Sequence, residues 1–274
     1  MPADARRYWI EQMEAAHGFM QKVLACPVAE SGEPLECLKA ASHSAGLEMI
    51  FPRKKHLGVF DRLFHVRRSL MEPLLRTAEL FLRRGYVLRI EDAYRSPEAQ
   101  ARGACCEYVV QTVFQKVRWE LKGEMPTPEQ VFKRLAVWSA TTPIFANHTA
   151  GSAVDVSMLR RRDRSALDMG APYPELSHRT PMDSPFVSRR VRRRRQMVCE
   201  LFAQEGFAPY PFEFWHFSHG DADYQVAQGT GKPATYGPVQ WAPGSRRPIP
   251  IRDIRKPFVT VDDIRACLRG LGCR

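Results

Sequence analysis

The sequence predicts an α+β fold whose central sheet is mostly antiparallel and is flanked by helices. Three observations lead to this prediction: apolar residues recur at helical spacing in several segments, the stretch from Ala153 to Met158 alternates like a half-buried strand, and no internal repeat is present. With 274 residues, the chain can bury roughly three quarters of its unfolded surface. We therefore expect one sizeable domain, or one domain with appendages.

The first half of the chain is predicted to be mainly helical. An N-terminal amphipathic helix is followed by a stretch punctuated by proline and glycine and by a weakly patterned segment that extends to about residue 66. Pro73 is typical of a first helical turn, and Gly85 is typical of a helix end. In order, the predicted elements are a helix over residues 6–25, a helix from Pro73 to Gly85, a strand from Tyr86 to Ile90, a helix from about Pro97 to Lys122 and a helix from about Pro128 to Trp138.

The second half begins with the alternating strand. Val154, Val156 and Met158 share one face of it, so Asp155 points away from the apolar side. The remaining predicted elements are a loop over residues 163–186, an arginine-rich helix that stops at Gly206, a strand from Phe207 through Phe217, a proline-rich arm over residues 237–257 and a short helix that begins near Thr260 in a capping box with Asp263.

The formal charge of +11 is concentrated in two arginine-rich runs. Residues 160–164 carry +3 and residues 189–195 carry +6, which leaves an excess of only +2 elsewhere. An apolar stripe through the second run favours a solvated helix face over a nucleic-acid site. Two alternatives stay open: phosphate neutralisation on a nucleic acid, and steering of an anionic substrate toward a nearby site.

The composition excludes a membrane-spanning protein, because no apolar run approaches eighteen residues. Acidic residues interrupt the N-terminus, which is untypical of an export signal. The seven cysteines are odd in number and irregularly spaced, so we interpret them as reduced thiols. We therefore expect a soluble cytoplasmic protein. The sequence does not indicate its oligomeric state.

Two short segments about sixty positions apart supply potential metal ligands. The first runs from His148 to Asp155, and the second runs from Glu213 to His216. Two imidazoles and one carboxylate are a sufficient ligand set for a catalytic zinc with an open fourth position, which leaves Glu213 as a base. An acid and a base inside the aromatic run around Trp215 are also unfavourable unless they are paired or bound to a metal.

Other roles are possible for these polar residues. Asp155 could act as a local cap or hydrogen-bond acceptor. His219 and Asp221 are rival ligands, which we rank lower because they lie past the aromatic run in a glycine-containing turn.

Four ordered segments resemble the D-alanyl-D-alanine dipeptidase family. They are AYRSPEAQ (93–100), HTAGSAVD (148–155), LDMGAPYPELSH (167–178) and EGFAPYPFEFWHFSHGD (205–221). These zinc peptidases are known from vancomycin resistance and from bacterial recycling of cell-wall dipeptide, and they are related to the zinc D,D-carboxypeptidases. The resemblance implies a compact zinc D,D-peptidase core over residues 66–221, with a helical extension over residues 1–65 and a proline-rich arm and short helix over residues 222–274.

The resemblance also implies a role for each candidate site residue. The implied roles are Zn²⁺ ligation by His148, Asp155 and His216, general-base catalysis by Glu213, stabilisation of the charged carbonyl oxygen by Arg95, and substrate binding by Tyr94 and by Asp168, which would hold the free ammonium of a dipeptide. Arg95 could instead form an ordinary surface ion pair, and Asp168 reads equally well as a turn aspartate before Gly170.

Three positions depart from the family pattern. Ala146 stands where a hydroxyl residue is common, Ser96 follows Arg95 where proline is common, and Phe214 replaces a usual tryptophan. The sequence therefore indicates the zinc chemistry more firmly than it indicates the substrate. We expect hydrolysis of D-Ala-D-Ala or a similar short D-amino-acid dipeptide. The alternatives are a D,D-carboxypeptidase acting on peptidoglycan stem peptides and a non-catalytic binding protein that uses the arginine-rich runs.

Overall fold

The structure of the chain is a computed structural model, and it describes residues 4–55 and 59–272. The helices are α1 (Ala5–Ala25), α2 (Leu38–Ser44), α3 (Arg68–Arg83), α4 (Pro97–Ala104), α5 (Glu107–Glu120), α6 (Pro128–Ser139), α7 (Asn147–Ala150), α8 (Arg189–Gln204), α9 (Ala222–Ala227) and α10 (Val261–Gly270). The strands are β1 (Leu35–Cys37), β2 (Met49–Ile50), β3 (His65–Arg67), β4 (Tyr86–Asp92), β5 (Ala153–Arg160), β6 (Ala208–Pro209), β7 (His216–Ser218), β8 (Val239–Gln240) and β9 (Ile249–Pro250).

The central sheet has the strand order β2-β4-β5-β7-β6 in the described part of the chain. Neighbouring strands are antiparallel except for the pair β2 and β4, so the prediction of a mostly antiparallel sheet in an α+β fold is confirmed. The edge strand β2 comes from the weakly patterned segment before residue 66. Two small antiparallel sheets, β1 with β3 and β8 with β9, complete the fold.

One face of the central sheet packs against α3 and α8 to form the main core. Val154, Val156 and Met158 are buried there, as the alternating pattern predicted. A second apolar cluster joins α5, α6 and α10, and α1 packs beside it through Trp9 and Met13. The helices α1, α5 and α6 therefore lie on the opposite side of β5 from the main core.

The predicted helix over residues 97–122 is wrong as one element, because the chain breaks at Cys105 and Cys106 into α4 and α5. Gly103 is a weak helix former, and the break lets buried Val110 face α6 and α10. The helix predicted to begin at Pro73 begins earlier, at Arg68, so the proline lies inside it. Buried apolar residues one turn before the proline extend the helix face toward β3.

The strand predicted from Phe207 through Phe217 is two short strands, β6 and β7, with turns between them. The prediction missed this turn because the aromatic side chains around Trp215 give a strand-like pattern. The loop over residues 163–186 and the last helix, with its capping box of Thr260 and Asp263, are confirmed. Boundaries for separate extensions at residues 65 and 221 stay a prediction.

The arginine-rich run at residues 189–195 is a helix with the predicted apolar stripe, but it is not uniformly solvated. Arg195 is buried, and its guanidinium donates to the backbone carbonyl oxygens of Met169, Pro181, Met182 and Arg179. Burial lowers the pKa of Arg195 to about 10. One arginine of the run therefore holds the loop over residues 163–186 in place.

Two further expectations concern membranes and thiols. In the described ranges, no helix is both long and apolar enough to cross a bilayer. The cysteines there are free thiols in the structure, and Cys273 lies outside the described residues.

Arg67 is a fully buried arginine that joins four distant parts of the chain. Its Nη1 and Nη2 donate to the Glu30 carboxylate at 2.8 and 3.0 Å, and Nη2 also donates to the Gly237 carbonyl oxygen at 3.1 Å. Its Nε donates to the carbonyl oxygen of Ala150 at the end of α7, at 2.6 Å. Arg67 thus ties the N-terminal segment and the C-terminal arm to the segment that carries His148.

Replacement of Arg67 by methionine is expected to lower the free energy of unfolding by about 3 to 5 kcal/mol, because it leaves the carboxylate of Glu30, whose side chain is 12% exposed, without its counter-ion. Arg68→Met is the matched control, since Arg68 pairs with Glu36 on the surface and its loss should cost less than about 1 kcal/mol. Urea denaturation of both variants checks this. Equal losses of stability would contradict the role assigned to Arg67.

Candidate metal centre and active-site cavity

The pairing of β5 with β7 brings two of the predicted metal ligands together. Asp155 lies directly opposite His216 in the antiparallel register. The Nδ1 atom of His216 is 2.9 Å from Oδ1 of Asp155, and Nε2 of His148 is 3.2 Å from the same oxygen. All three side chains are buried, and their potential ligand atoms lie within 4.8 Å of one another. Segments that are distant in the sequence thus converge on one point.

These separations fit a shared zinc ion. Zinc bonds of 2.0 to 2.1 Å in a tetrahedron place neighbouring ligand atoms about 3.3 Å apart, close to the distances of 2.9 and 3.2 Å found here. Burial opposes ionisation of Asp155, but the imidazoles of His148 and His216 outweigh it and hold the pKa of the carboxyl well below its usual range. Asp155 is therefore the ionised acceptor that a cation requires.

His148 is oriented by a backbone contact. Its Nδ1 atom lies 2.6 Å from the carbonyl oxygen of Ala93, so the Nδ1 hydrogen is donated there and Nε2 is left as the ligand atom. The short helix α7 that carries His148 ends at Gly151, whose φ of 70° is left-handed. A Cβ atom there would lie 2.9 Å from Leu35 Cδ2, so only glycine fits this turn without displacing its neighbour.

Tyr173 holds the remaining oxygen of Asp155. Its hydroxyl donates to Oδ2 of Asp155 at 2.9 Å, and its ring contacts Trp215 edge to face. Oδ1 of the aspartate is thereby left to face both imidazoles. The sequence analysis did not single out Tyr173, although it lies within the segment 167–178. Its position in a loop gave no periodic signal that would mark it as a site residue.

Glu213 lines the cavity beside the three candidate ligands. The side chain is half-buried in the cavity wall. Burial and the nearby Asp155 carboxylate raise the pKa of Glu213 well above its usual value, and the opposing effects of Arg95 and of a hydrogen bond with Trp215 are smaller. A carboxyl in this environment has a high affinity for a proton.

Arg95 lines the same cavity, and its guanidinium is fixed by two neighbours. Its Nε and Nη2 donate to Oδ2 of Asp92 at 3.1 and 2.7 Å, and its Nη1 donates to Oε1 of Gln100 at 2.7 Å. The ion pair with Asp92 is buried, because the two side chains are only 16% and 2% exposed. Arg95 is therefore not part of an ordinary surface ion pair.

The structure does not bring the two predicted substrate-binding residues into this cavity. Tyr94 is buried against the C-terminal arm, where its hydroxyl oxygen lies 3.1 Å from the Val239 carbonyl oxygen and accepts from the Trp241 amide at 2.9 Å. The side chain of Asp168 is 70% exposed, and its Oδ1 accepts from the Gly170 amide. Asp168 thus occupies the turn position that its sequence context also allowed.

The two rival ligands, His219 and Asp221, form hydrogen bonds outside the candidate metal group. Nδ1 of His219 lies 2.6 Å from the carbonyl oxygen of Gly206. Asp221 caps α9 by accepting from the Tyr224 amide, and it also accepts from the hydroxyls of Ser152 and Ser218. Neither residue belongs to the group of potential metal ligands found among the described residues.

Comparison with known proteins identifies the family. Residues 55–229 match the family model described as D-Ala-D-Ala dipeptidase. The chain belongs to this family. It is a metallopeptidase, as predicted, and the family assignment together with the His–Asp–His group identifies zinc as its cofactor.

Curated relatives carry the same description. A D-alanyl-D-alanine dipeptidase of Synechocystis sp. is 27% identical over 74% of this chain and 88% of its own length. The D-alanyl-D-alanine dipeptidase of Escherichia coli is 29% identical over 48% of this chain and 55% of its own length. Among solved structures, a variant of the vancomycin-resistance D,D-pentapeptidase VanY in complex with Zn(II) matches with a TM-score of 0.38 and 17% identity, covering 74% of this chain and 89% of that one.

Replacement of His148 by alanine should abolish stoichiometric zinc binding, because two remaining ligands do not make a catalytic site. His219→Ala is the matched control and should keep one zinc per chain, since that imidazole bonds to Gly206. Metal analysis of the purified variants after dialysis measures both. Loss of zinc from the His219 variant alone would refute the ligand assignment.

Tyr173→Phe should weaken zinc binding by about 10- to 100-fold, because a hydrogen bond that orients a ligating carboxylate is lost while the ring is kept. Tyr224→Phe is the control, since Tyr224 contacts His219 outside the metal site. Competition with a zinc chelator measures the affinity of each variant. An unchanged zinc affinity in the Tyr173 variant would contradict its orienting role.

Proposed function

We propose that this chain is a zinc dipeptidase that hydrolyses D-Ala-D-Ala or a similar short D-amino-acid dipeptide. One observation carries the proposal: Glu213 and Arg95 line the same cavity as His148, Asp155 and His216. The cavity thus combines a metal-ligand group, a carboxyl with raised proton affinity and a fixed cation. The family assignment supports D-Ala-D-Ala as the substrate.

In this proposal His148, Asp155 and His216 hold the zinc. When bound, zinc supplies Lewis-acid polarisation of a peptide carbonyl and makes water more acidic. The chain itself supplies the geometry, since the β5–β7 register and the Tyr173 hydroxyl fix Asp155 between the two imidazoles.

Glu213 is the general base. A carboxylate oxygen of Glu213 takes a proton from the attacking water and then delivers a proton to the leaving amine. Both transfers need a group whose pKa lies nearer to neutrality than that of an exposed glutamate, and burial beside Asp155 shifts Glu213 in that direction. A hydrogen bond from Trp215 restrains the carboxyl of Glu213.

Arg95 stabilises the negative charge that develops on the carbonyl oxygen. Its guanidinium stays protonated and presents a planar array of donors. Because Asp92 and Gln100 already hold it, little reorganisation is needed when the charge forms. Gln100 in turn donates to the Ala140 carbonyl oxygen at 3.2 Å, so Arg95 is linked to the cavity wall that follows α6.

A D,D-carboxypeptidase acting on peptidoglycan stem peptides is the second candidate. Ser96 and Gln100 favour it, since the Arg95–Ser96 sequence resembles that branch and Gln100 contacts Arg95 directly. The two candidates share the roles of Glu213, Arg95 and the zinc ligands. They differ in whether the cavity requires a free ammonium group on the substrate.

Glu213→Gln should retain zinc but lower kcat for release of D-alanine from D-Ala-D-Ala by about 10²- to 10⁴-fold, because the amide cannot accept a proton. Glu72→Gln, on the exposed face of α3, is the control and should keep the wild-type rate. A coupled assay for D-alanine on zinc-loaded protein gives both rates. Full activity of the Glu213 variant would refute the role of Glu213 as general base. An inactive zinc-loaded wild type would refute D-Ala-D-Ala as the substrate.

A further inference from the structure

A pair of cysteine thiols lies at the break between α4 and α5, apart from the metal group and from the residues assigned to catalysis. Cys105 directly follows the last residue of α4, and Cys267 belongs to α10. Their thiols hydrogen-bond to each other, and the Cys267 Sγ atom also lies 3.7 Å from the Cys105 carbonyl oxygen. Two thiols that are 162 residues apart in the chain are therefore in direct contact.

The two cysteines are half-buried at the edge of the apolar cluster that joins α5, α6 and α10. Burial raises the pKa of Cys105 to about 12, and the neighbouring Cys267 adds to the increase. Cys105 therefore keeps its proton at neutral pH. Because the thiolate is the nucleophilic form of cysteine, Cys267 is the sulfur of this pair that attacks an oxidant first.

The break that carries Cys105 is directly joined to the active-site cavity. Gln100, in the same helix α4, accepts from Nη1 of Arg95 at 2.7 Å. On the other side of the break, Tyr108 and Val109 lie in the first turn of α5 and line the cavity. A displacement of the break therefore moves both a partner of Arg95 and one wall of the cavity.

We infer that Cys105 and Cys267 form a site of reversible oxidation, at which a peroxide converts the two thiols into a disulfide. The Cys267 thiolate attacks one oxygen of hydrogen peroxide, the O–O bond breaks, and Cys267 becomes a sulfenic acid. The released hydroxide takes up the proton that Cys267 lost and becomes water. The Cys105 sulfur then displaces the sulfenic hydroxyl, which leaves as water with the Cys105 proton. Both sulfurs are oxidised, and one peroxide is reduced to two molecules of water.

The disulfide should lower activity without removing zinc. An S–S bond is about 2.05 Å long, which is shorter than a contact between two thiols, so its formation draws the break between α4 and α5 toward α10. Gln100 moves with the break, whereas the three candidate metal ligands belong to α7, β5 and β7. A misplacement of about 1 Å near a catalytic group can lower a rate by about 10²-fold. The effect on activity rests on the proposed function, but formation of the disulfide does not.

The test treats zinc-loaded protein with hydrogen peroxide, maps disulfides by mass spectrometry of non-reduced peptides, and measures D-alanine release from D-Ala-D-Ala. We expect a peptide linked through Cys105 and Cys267, retained zinc, and a rate lowered by about 10-fold or more that dithiothreitol restores. Cys105→Ser and Cys267→Ser should each form no such link and should keep their rate after peroxide treatment.

Cys199→Ser is the matched control. Burial raises the pKa of Cys199 to about 12, as it does for Cys105, but the Cys199 thiol contacts the sulfur of Met182. This variant should therefore form the disulfide and lose activity as wild type does. Thermal unfolding of each reduced variant checks that the serine leaves the fold intact.

The possible results separate the oxidation site from the proposed function. A link through Cys106 in place of Cys105, or an equal loss of activity in all three variants, would overturn the inference. An active wild type in which peroxide forms no link would refute the oxidation site alone. A wild type that forms the Cys105 to Cys267 link but releases no D-alanine even when reduced would support the oxidation site and refute the proposed function.

Discussion

The register between β5 and β7 is the constraint on which the active site depends. It sets Asp155 opposite His216, and a shift by one residue would direct the aspartate into the apolar core and replace it in the cavity with valine. Val154 and Val156 oppose that shift, because they are buried against α3 and α8. The same apolar packing that forms the core therefore fixes the position of the charged groups.

Residues far outside the metal-ligand segments also shape the cavity. Met20 of α1 lines it, as does Trp138 near the end of α6. From the other direction, the C-terminal arm packs on Tyr94 through Trp241 and holds the residue before Arg95. The terminal segments are thus part of the environment of Arg95 and Glu213. The groups that line the cavity are held by both local and long-range contacts.

The sequence was most informative where one short segment carries the chemistry. His148, Asp155 and His216 could be predicted because ligand types recur in two compact motifs, and the helices and strands with clear periodicity were found. The substrate-binding role of Tyr94 was taken from the family resemblance, but its hydroxyl contacts the backbone of Trp241, a partner that no local pattern reveals.

Asp223 could not be predicted as a residue of the cavity wall, because its position depends on what surrounds it. In the sequence it is one of several acidic residues near a helix start, and its burial on the cavity wall beside Asn147 is visible only when the chain is folded. The same holds for the break between α4 and α5, since packing against α10, more than a hundred residues later, decides where the helix ends.

The hydrogen-bond acceptors around Arg67 are translated at very different times. A nascent chain that has emerged as far as His216 already contains the three candidate metal ligands, but it lacks the Gly237 carbonyl oxygen that accepts from the guanidinium of Arg67. Until the arm leaves the ribosome, Nη2 of Arg67 lacks one of its two acceptors and keeps only Glu30. The set of acceptors around Arg67 is therefore completed only after the three candidate metal ligands have been translated.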